Sequence, residues 1–337
     1  MIGRTLLFII FVMAKRVIID TDPGVDDALA LILALRSPEL QVEAITTVSG
    51  NVPLEQATKN AYLLLDLFGP KPPPILARGR AQSSGKRRIM AQSVHGSDGL
   101  GELNRFKNPD GSIRYLYPKL PRDLPDATEV LLDLLKRYPD ELTLISLGPL
   151  TNLAEALIAD AKRVKRLREV VIMGGAIRVP GNITPAAEFN IFMDPYAAQR
   201  VFKSGLPIKL VPLDVTEKVN LRPMEIENLA QAMEEPLGSF LCDATSKVME
   251  YMRQVQGVEA ILLHDPLAVG VAIDPYMVKT TLLHVEVETQ ACITQGMTIA
   301  DLRPIRNDLK QPPNIRVALE VDTKLFLSFF KERLCRR

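Results

Sequence analysis

Asp20-Thr21-Asp22-Pro23-Gly24-Val25-Asp26-Asp27 places four carboxylates within eight residues, directly after the apolar run Val17-Ile18-Ile19. Acids packed this closely repel one another, so a folded chain that keeps them offsets the charge with a cation. The apolar run reads as a strand, the Pro-Gly pair as a turn, and Ala28-Leu29-Ala30-Leu31-Ile32-Leu33 as a helix. In open α/β sheets built from such units, ligands sit in the crevice beyond the carboxyl ends of the strands. The aspartate loop is therefore a candidate site.

The unit recurs along the chain. Apolar, β-rich runs at 16–19, 42–48, 142–147, 169–173 and 208–213 alternate with helical patterns at 27–35, 54–68, 128–136, 150–158 and 195–203. This alternation predicts an α/β fold with a mostly parallel, doubly wound central sheet and helices on both faces. Each run ends in polar or Gly-containing sequence: the aspartate loop, Ser49-Gly50-Asn51, Gly148-Pro149-Leu150-Thr151-Asn152, Gly174-Gly175 and Asp214-Val215-Thr216. Parallel topology brings these five loops to one edge. Residues 70–126, rich in Pro, Gly and charge and containing His95-Gly96-Ser97-Asp98-Gly99, read as a long functional or mobile connection. After residue 278 the pattern turns to alternation, as in His284-Val285-Glu286-Val287-Glu288, followed by a strand-like run at 314–321. These predict a small antiparallel C-terminal extension ending in a helix.

Composition narrows the function classes. The 337 residues are 47% hydrophobic and 24% charged, as in an ordinary globular enzyme. A net charge of +1, no long basic run and few aromatics argue against a nucleic-acid partner. The densest basic stretches are Lys86-Arg87-Arg88 and residues 162–168, the latter at the spacing of a solvated helix face. Cys242, Cys292 and Cys335 are far apart, which supports neither a disulfide framework nor a thiolate metal site and suits a reducing, cytoplasmic compartment. The apolar stretch at 6–12 is too short to span a bilayer and no small-residue cleavage site follows it, so no membrane association is expected. Met13-Ala14-Lys15-Arg16 reads as a natural start. Residues 1–13 are accordingly expected to be a non-native or disordered extension, and 14–337 one catalytic domain.

With only three histidines and no Cys cluster, zinc is disfavoured; clustered oxygens suit Ca²⁺ or Mg²⁺. The spacing is not an EF-hand loop, because Gly24 stands where a third acid is needed. Asp26 and Asp27 open a helix, in which consecutive side chains diverge by about 100°. One is thus read as holding a metal with Asp22 while the other faces the attacking water as its base. Acids also suit a helix N-terminus, but a cap needs one or two rather than four. His264-Asp265-Pro266-Leu267 offers a further carboxylate and a proton donor near neutral pH. Asn182, Glu188 and Asn190 read singly as turn residues, and together as partners for a polyhydroxylated ligand.

These segments, with Ala44-Ile45-Thr46-Thr47-Val48-Ser49-Gly50-Asn51, His95-Gly96, Leu147-Gly148-Pro149-Leu150-Thr151-Asn152, Met173-Gly174-Gly175 and Ala187-Glu188-Phe189-Asn190, fall in a characteristic order. The sequence resembles the inosine-uridine-preferring nucleoside hydrolases from residue 16 to about 275. The resemblance implies hydrolysis of ribonucleosides to free base and ribose, in purine or pyrimidine salvage, by a homodimer or homotetramer. It implies a Ca²⁺ held by Asp22, Asp27, Asp265 and the Leu147 carbonyl, with Asp26 as general base. Asn51, Asn182, Glu188 and Asn190 would bind sugar hydroxyls with Asp22 and Asp265, while Met173 and Phe189 line the pocket. His95 would contact the base or the 5′ side, and His264 would protonate or orient the departing base. Asp20 is read as support for the other acids. One departure concerns the nucleobase: Gln256 stands where the family pattern has Tyr or Phe. A phosphohydrolase with an Asp20 or Asp22 nucleophile is disfavoured by Gly24; a nucleoside- or ribose-binding paralogue without turnover is the remaining alternative.

Overall fold

The computed structural model describes residues 14–81, 91–290 and 292–336, apart from the side chains of Gln256 and Asn307. The proposed extension at 1–13, the Lys86-Arg87-Arg88 stretch and the side chain of Gln256 lie outside the described residues.

Six strands, β1 (Lys15–Thr21), β2 (Leu40–Thr47), β3 (Ile75–Arg78), β4 (Thr143–Ser146), β5 (Glu169–Met173) and β6 (Ile208–Val211), pair in parallel. Next in the chain, β7 (Asn220–Leu221) and β8 (Ile261–Leu262) form a short antiparallel pair. The remaining strands are β9 (Val278–Leu283), β10 (Val285–Val287), β11 (Thr298–Ala300) and β12 (Ile315–Val321). The main sheet has eight strands in the order β3-β2-β1-β4-β5-β6-β12-β9.

Two elements differ from the sequence reading. β3 lies inside the stretch read as a long connection; it has only four residues, follows a Pro-rich segment and sits at the sheet edge, so little periodicity marks it. The run at 314–321 does pair antiparallel with β9, and β10 with β11, but β12 also pairs in parallel with β6. It is an interior strand, and the burial of Ile315, Val317, Ala318 and Leu319 reflects that position.

Side chains alternate across the sheet as pleating requires. Val17 and Ile19 enter the core on one face, Ile18 the core on the other. The first core receives the helices Val25–Leu35, Leu237–Tyr251, His264–Ile273 and Thr323–Cys335; the second receives Ala127–Arg137, Thr151–Val164 and Pro195–Phe202. Val25–Leu35 is apolar on nearly every side after its first turn, and Ala28 through Ala34 are buried. A helix of that kind belongs in an interior. It packs against His264–Ile273, which is buried from Asp265 to Ile273. Among the described residues no helix is long and apolar enough to cross a membrane. The basic residues at 162–168 are mostly exposed, as their spacing predicts.

Leu31 is fully buried in the first core. Leu31→Ala is expected to lower unfolding free energy by about 2–5 kcal/mol, read from urea denaturation.

Candidate active site

β1 is the pivot of the sheet, with β2 and β3 laid down on one side and β4 onward on the other. This order reversal is the topological switch point of an open α/β sheet, where a crevice opens beyond the strand ends. The aspartate loop leaves β1 at that place, and Leu147-Gly148 leaves β4 beside it, with Leu147 N–H donating to the Asp20 carbonyl at 2.7 Å.

Asp20 points away from the crevice. Its Oδ1 accepts from Thr46 Oγ1 at 2.5 Å and from Asn152 Nδ2 at 2.7 Å, which ties β1 to β2 and to the helix Thr151–Val164. Burial pushes its carboxyl up to about 6 despite those donors. Asp22 is sealed beneath two glycines. A Cβ at Gly50 would lie 2.0 Å from Asp22 Oδ2, and one at Gly148 2.4 Å from Oδ1, so neither position admits a side chain. Oδ2 accepts from the Asn51 N–H at 2.5 Å, while the buried Oδ1 has no partner among the described residues.

Asp27 bends back over the start of its helix. Its Oδ2 accepts from the Gly24 N–H at 3.0 Å and Asn51 Nδ2 at 3.1 Å, and Thr21 Oγ1 donates to Oδ1. That return brings it close to its neighbour despite the helical step: one oxygen each from Asp26, Asp27 and Asp265 lies within 4.8 Å of the others. The acids in closest register therefore include Asp26. Asp22 stands beside this group, near enough for its charge to act on Asp265. Asp265 arrives from the start of the helix His264–Ile273, more than two hundred residues further along the chain.

The cluster borders a cavity of about 270 Å³, near the lower end of small-molecule sites. Asp26, Asn51, His95, Leu147, Met173, Asn182, Glu188, Phe189, Asn190, His264 and Asp265 all line it. Asp22 and Asp27 do not; they lie underneath, fully buried. Several lining groups already have partners. Glu188 caps the helix Phe189–Met193, its oxygens accepting from the backbone N–H groups of Asn190, Ile191 and Gly175 at 2.8, 3.1 and 2.9 Å. Asn190 Nδ2 donates to the Leu147 carbonyl at 2.7 Å, and exposed Asn182 accepts from the Phe189 N–H at 2.9 Å. His95 Nδ1 accepts from the Val25 N–H at 3.2 Å, satisfying a first-turn amide of the helix that carries Asp26. His264 Nδ1 and Thr216 Oγ1 are 2.8 Å apart.

The sequence reading did not single out the apolar part of the lining. Val25, Leu29, Val248, Tyr251, Met252, Ile261 and Leu262 contribute to it, and Glu217 also lines the cavity. Tyr251 thus brings an aromatic ring to the segment in which Gln256 replaces the expected one. Tyr251 and Met252 were visible in that segment; the other apolar residues look like ordinary core positions. Thr21, Thr216 and the clamping role of Gly50 and Gly148 also depend on contacts distant in sequence.

Burial is the main force on the titrating groups. It pushes Asp22, Asp26, Asp27 and Asp265 up from the ordinary carboxylate value, and for Asp22 and Asp265 the charge of Asp27 adds most to it. Burial likewise lowers His264, opposed by Asp26, and takes His95 down to about 4, opposed by Asp27. Buried oxygens on Asp22 and Asp26 that have no hydrogen-bond partner among the described residues, in a group of hard oxygen donors, fit a divalent cation such as Ca²⁺ or Mg²⁺.

Residues 17–328 match the sequence pattern described as inosine-uridine preferring nucleoside hydrolase. The chain belongs to that family. The pyrimidine-specific ribonucleoside hydrolase RihA of Salmonella agona (strain SL483) is 37% identical over 324 residues, spanning 96% of this chain and 99% of its own length. Among solved structures, a plant nucleoside hydrolase, the PpNRh1 enzyme, superposes with a TM-score of 0.84 at 36% identity, covering 96% of this chain and 99% of that one. A purine-preferring ribonucleoside hydrolase from Gardnerella vaginalis gives 0.82 at 33% identity, with 95% and 98% covered. This nucleoside hydrolase family member is thus an enzyme, a glycosidase acting on ribonucleosides.

The raised carboxyls make a signed prediction for the metal-free protein. A folded value above the unfolded one means that the cluster's stability is fully present below the ordinary carboxylate pKa and is lost as pH rises through the folded value. Asp265→Asn removes one such charge. In chelator it is expected to raise Tm at pH 8 and leave it nearly unchanged only below about pH 4, where the carboxyl is protonated in both states, as followed by thermal circular dichroism.

Proposed function

We propose that the chain cleaves the N-glycosidic bond of ribonucleosides with Ca²⁺ as its metal, releasing free base and ribose for purine or pyrimidine salvage. The observation that carries this reading is the closely spaced group of Asp26, Asp27 and Asp265, beside a cavity lined by both polar and apolar residues. In this reading Asp22, Asp27, Asp265 and the Leu147 carbonyl hold the ion. The free Asp22 Oδ1 and the all-oxygen donor set support that assignment. When bound, the ion offsets the clustered negative charge and makes an attacking water more acidic.

Asp26 is the base. It is partly exposed to the cavity, whereas Asp22 and Asp27 are sealed below it, so it is the carboxylate best placed to take the proton of the attacking water. Bond cleavage builds positive, oxocarbenium-like charge on the ribose, which a wall of carboxylates stabilises. Asn51, Asn182, Glu188 and Asn190 orient the sugar hydroxyls, with Asp22 and Asp265 sharing the task. Met173 and Phe189 exclude water, His95 closes the side toward the base or the 5′ group, and His264 assists the departing base. The same reading includes a single catalytic domain over residues 14–337, cytoplasmic residence in keeping with three free, dispersed cysteines, and a homodimer or homotetramer.

The test is base release from inosine, uridine, cytidine and adenosine, with and without chelator. Asp26→Asn is expected to lower turnover by about 10²–10⁴-fold while Ca²⁺ binding and Tm stay near those of the unsubstituted protein. Near-normal turnover by that variant overturns the role of Asp26, and full activity in chelator overturns the metal.

A further inference from the structure

Thr216 ends a short helix, Leu213–Thr216, that follows β6, and its side chain is fully buried. Its Oγ1 lies 2.8 Å from His264 Nδ1 and makes no other hydrogen bond among the described residues. The two residues are held in register by backbone. Val219 N–H donates to the Thr216 carbonyl at 3.1 Å, Leu263 N–H donates to the Val219 carbonyl at 3.0 Å, and Asn220 pairs with Leu262 in the β7–β8 ribbon.

Donor bookkeeping then decides the form of the ring. A threonine hydroxyl has one proton, and a neutral imidazole has one N–H and one acceptor nitrogen. If His264 Nδ1 carried the proton and donated, the buried Thr216 hydroxyl proton would have no acceptor. If Thr216 donates, both groups are satisfied and the ring proton sits on Nε2. That nitrogen has no partner among the described residues, and the ring lines the cavity.

We infer that Thr216 is a positioning residue that fixes His264 as its Nε2–H tautomer, making it a neutral hydrogen-bond donor to the departing base. This rests on the hydrolase reading above. As the water oxygen joins C1′, one of its protons passes to Asp26. The glycosidic electron pair leaves with the base, which is held by the Nε2–H bond and takes a proton from solvent on release. Asp26 returns its proton to solvent, so nucleoside and water balance base and ribose.

Thr216→Val keeps the shape and removes the donor; Thr216→Ser restores it. On uridine and inosine, Thr216→Val is expected to lower kcat by roughly 10²-fold with little change in KM, and Thr216→Ser to recover most of the loss. On p-nitrophenyl β-D-ribofuranoside, whose leaving group needs no such help, the expected loss is small. Imidazole ¹⁵N spectra of the metal-free protein, with His264 identified by its absence in His264→Gln, should show Nε2–H in the unsubstituted chain and in Thr216→Ser. Equal losses on all three substrates, unchanged kcat on the nucleosides, or an Nδ1–H ring in the unsubstituted protein overturns the inference. No base release from any nucleoside by the unsubstituted protein overturns the hydrolase reading instead, and the ring spectrum still decides the tautomer.

Discussion

Buried acids held close together are the constraint around which the molecule is arranged. Removing several carboxylates from water while their charges face one another is unfavourable unless a cation or protons compensate. The structure sorts them by what each touches. Asp20 spends its accepting oxygen on Thr46 and Asn152, linking two strands to a helix. Asp22 is pinned by the Asn51 N–H beneath Gly50 and Gly148, leaving one oxygen free. Asp27 is held by Thr21, Gly24 and Asn51, while Asp26 meets the cavity. Identical side chains thus acquire different duties from their surroundings.

Holding such a cluster needs a rigid support, and apolar packing provides it. The helix that carries Asp26 and Asp27 is buried along nearly its whole length against the helix that begins with His264 and Asp265. Beyond their first turns both helices can be apolar on nearly every side because they are buried there. Their N-termini converge at the switch point of the sheet, so the fold's interior positions its most polar chemistry.

The cavity lining mixes two chemistries. Loops that follow strands supply polar groups through Asn51 and the Leu147 carbonyl, with Asn182, Glu188 and Asn190 added from the segment after β5. The apolar wall includes Val248, Tyr251, Met252, Ile261 and Leu262. A sugar is recognised by fixed donors and acceptors, a nucleobase by flat apolar surface and a few directed contacts. The pyrimidine-specific and purine-preferring relatives have comparable identity to this chain, so overall similarity does not indicate which base suits this wall.

Much was legible in the amino-acid order, because it follows from local periodicity and from chemistry concentrated in short segments. The alternating strands and helices, the polar loop after each strand, and the acids at 20–27 and 265 were visible there. So were Asn51, Glu188, Asn190 and His264. The parallel placement of β12 beside β6, the four-residue β3 and the apolar wall were not, since strand pairing is a tertiary relation and short edge strands and core-like residues carry no distinctive local signal. Nor does spacing reveal that Asp27 folds back toward Asp26, that Asp22 lies under two glycines, or that Thr216 meets His264. Those relations include groups 48 residues apart, Thr216 and His264, and others as far apart as Asp22 and Gly148. The sequence by itself determined the inventory of acids and the class of fold that gathers them. Only the tertiary structure decided which oxygens are free, because that depends on the donors that distant segments bring to each one.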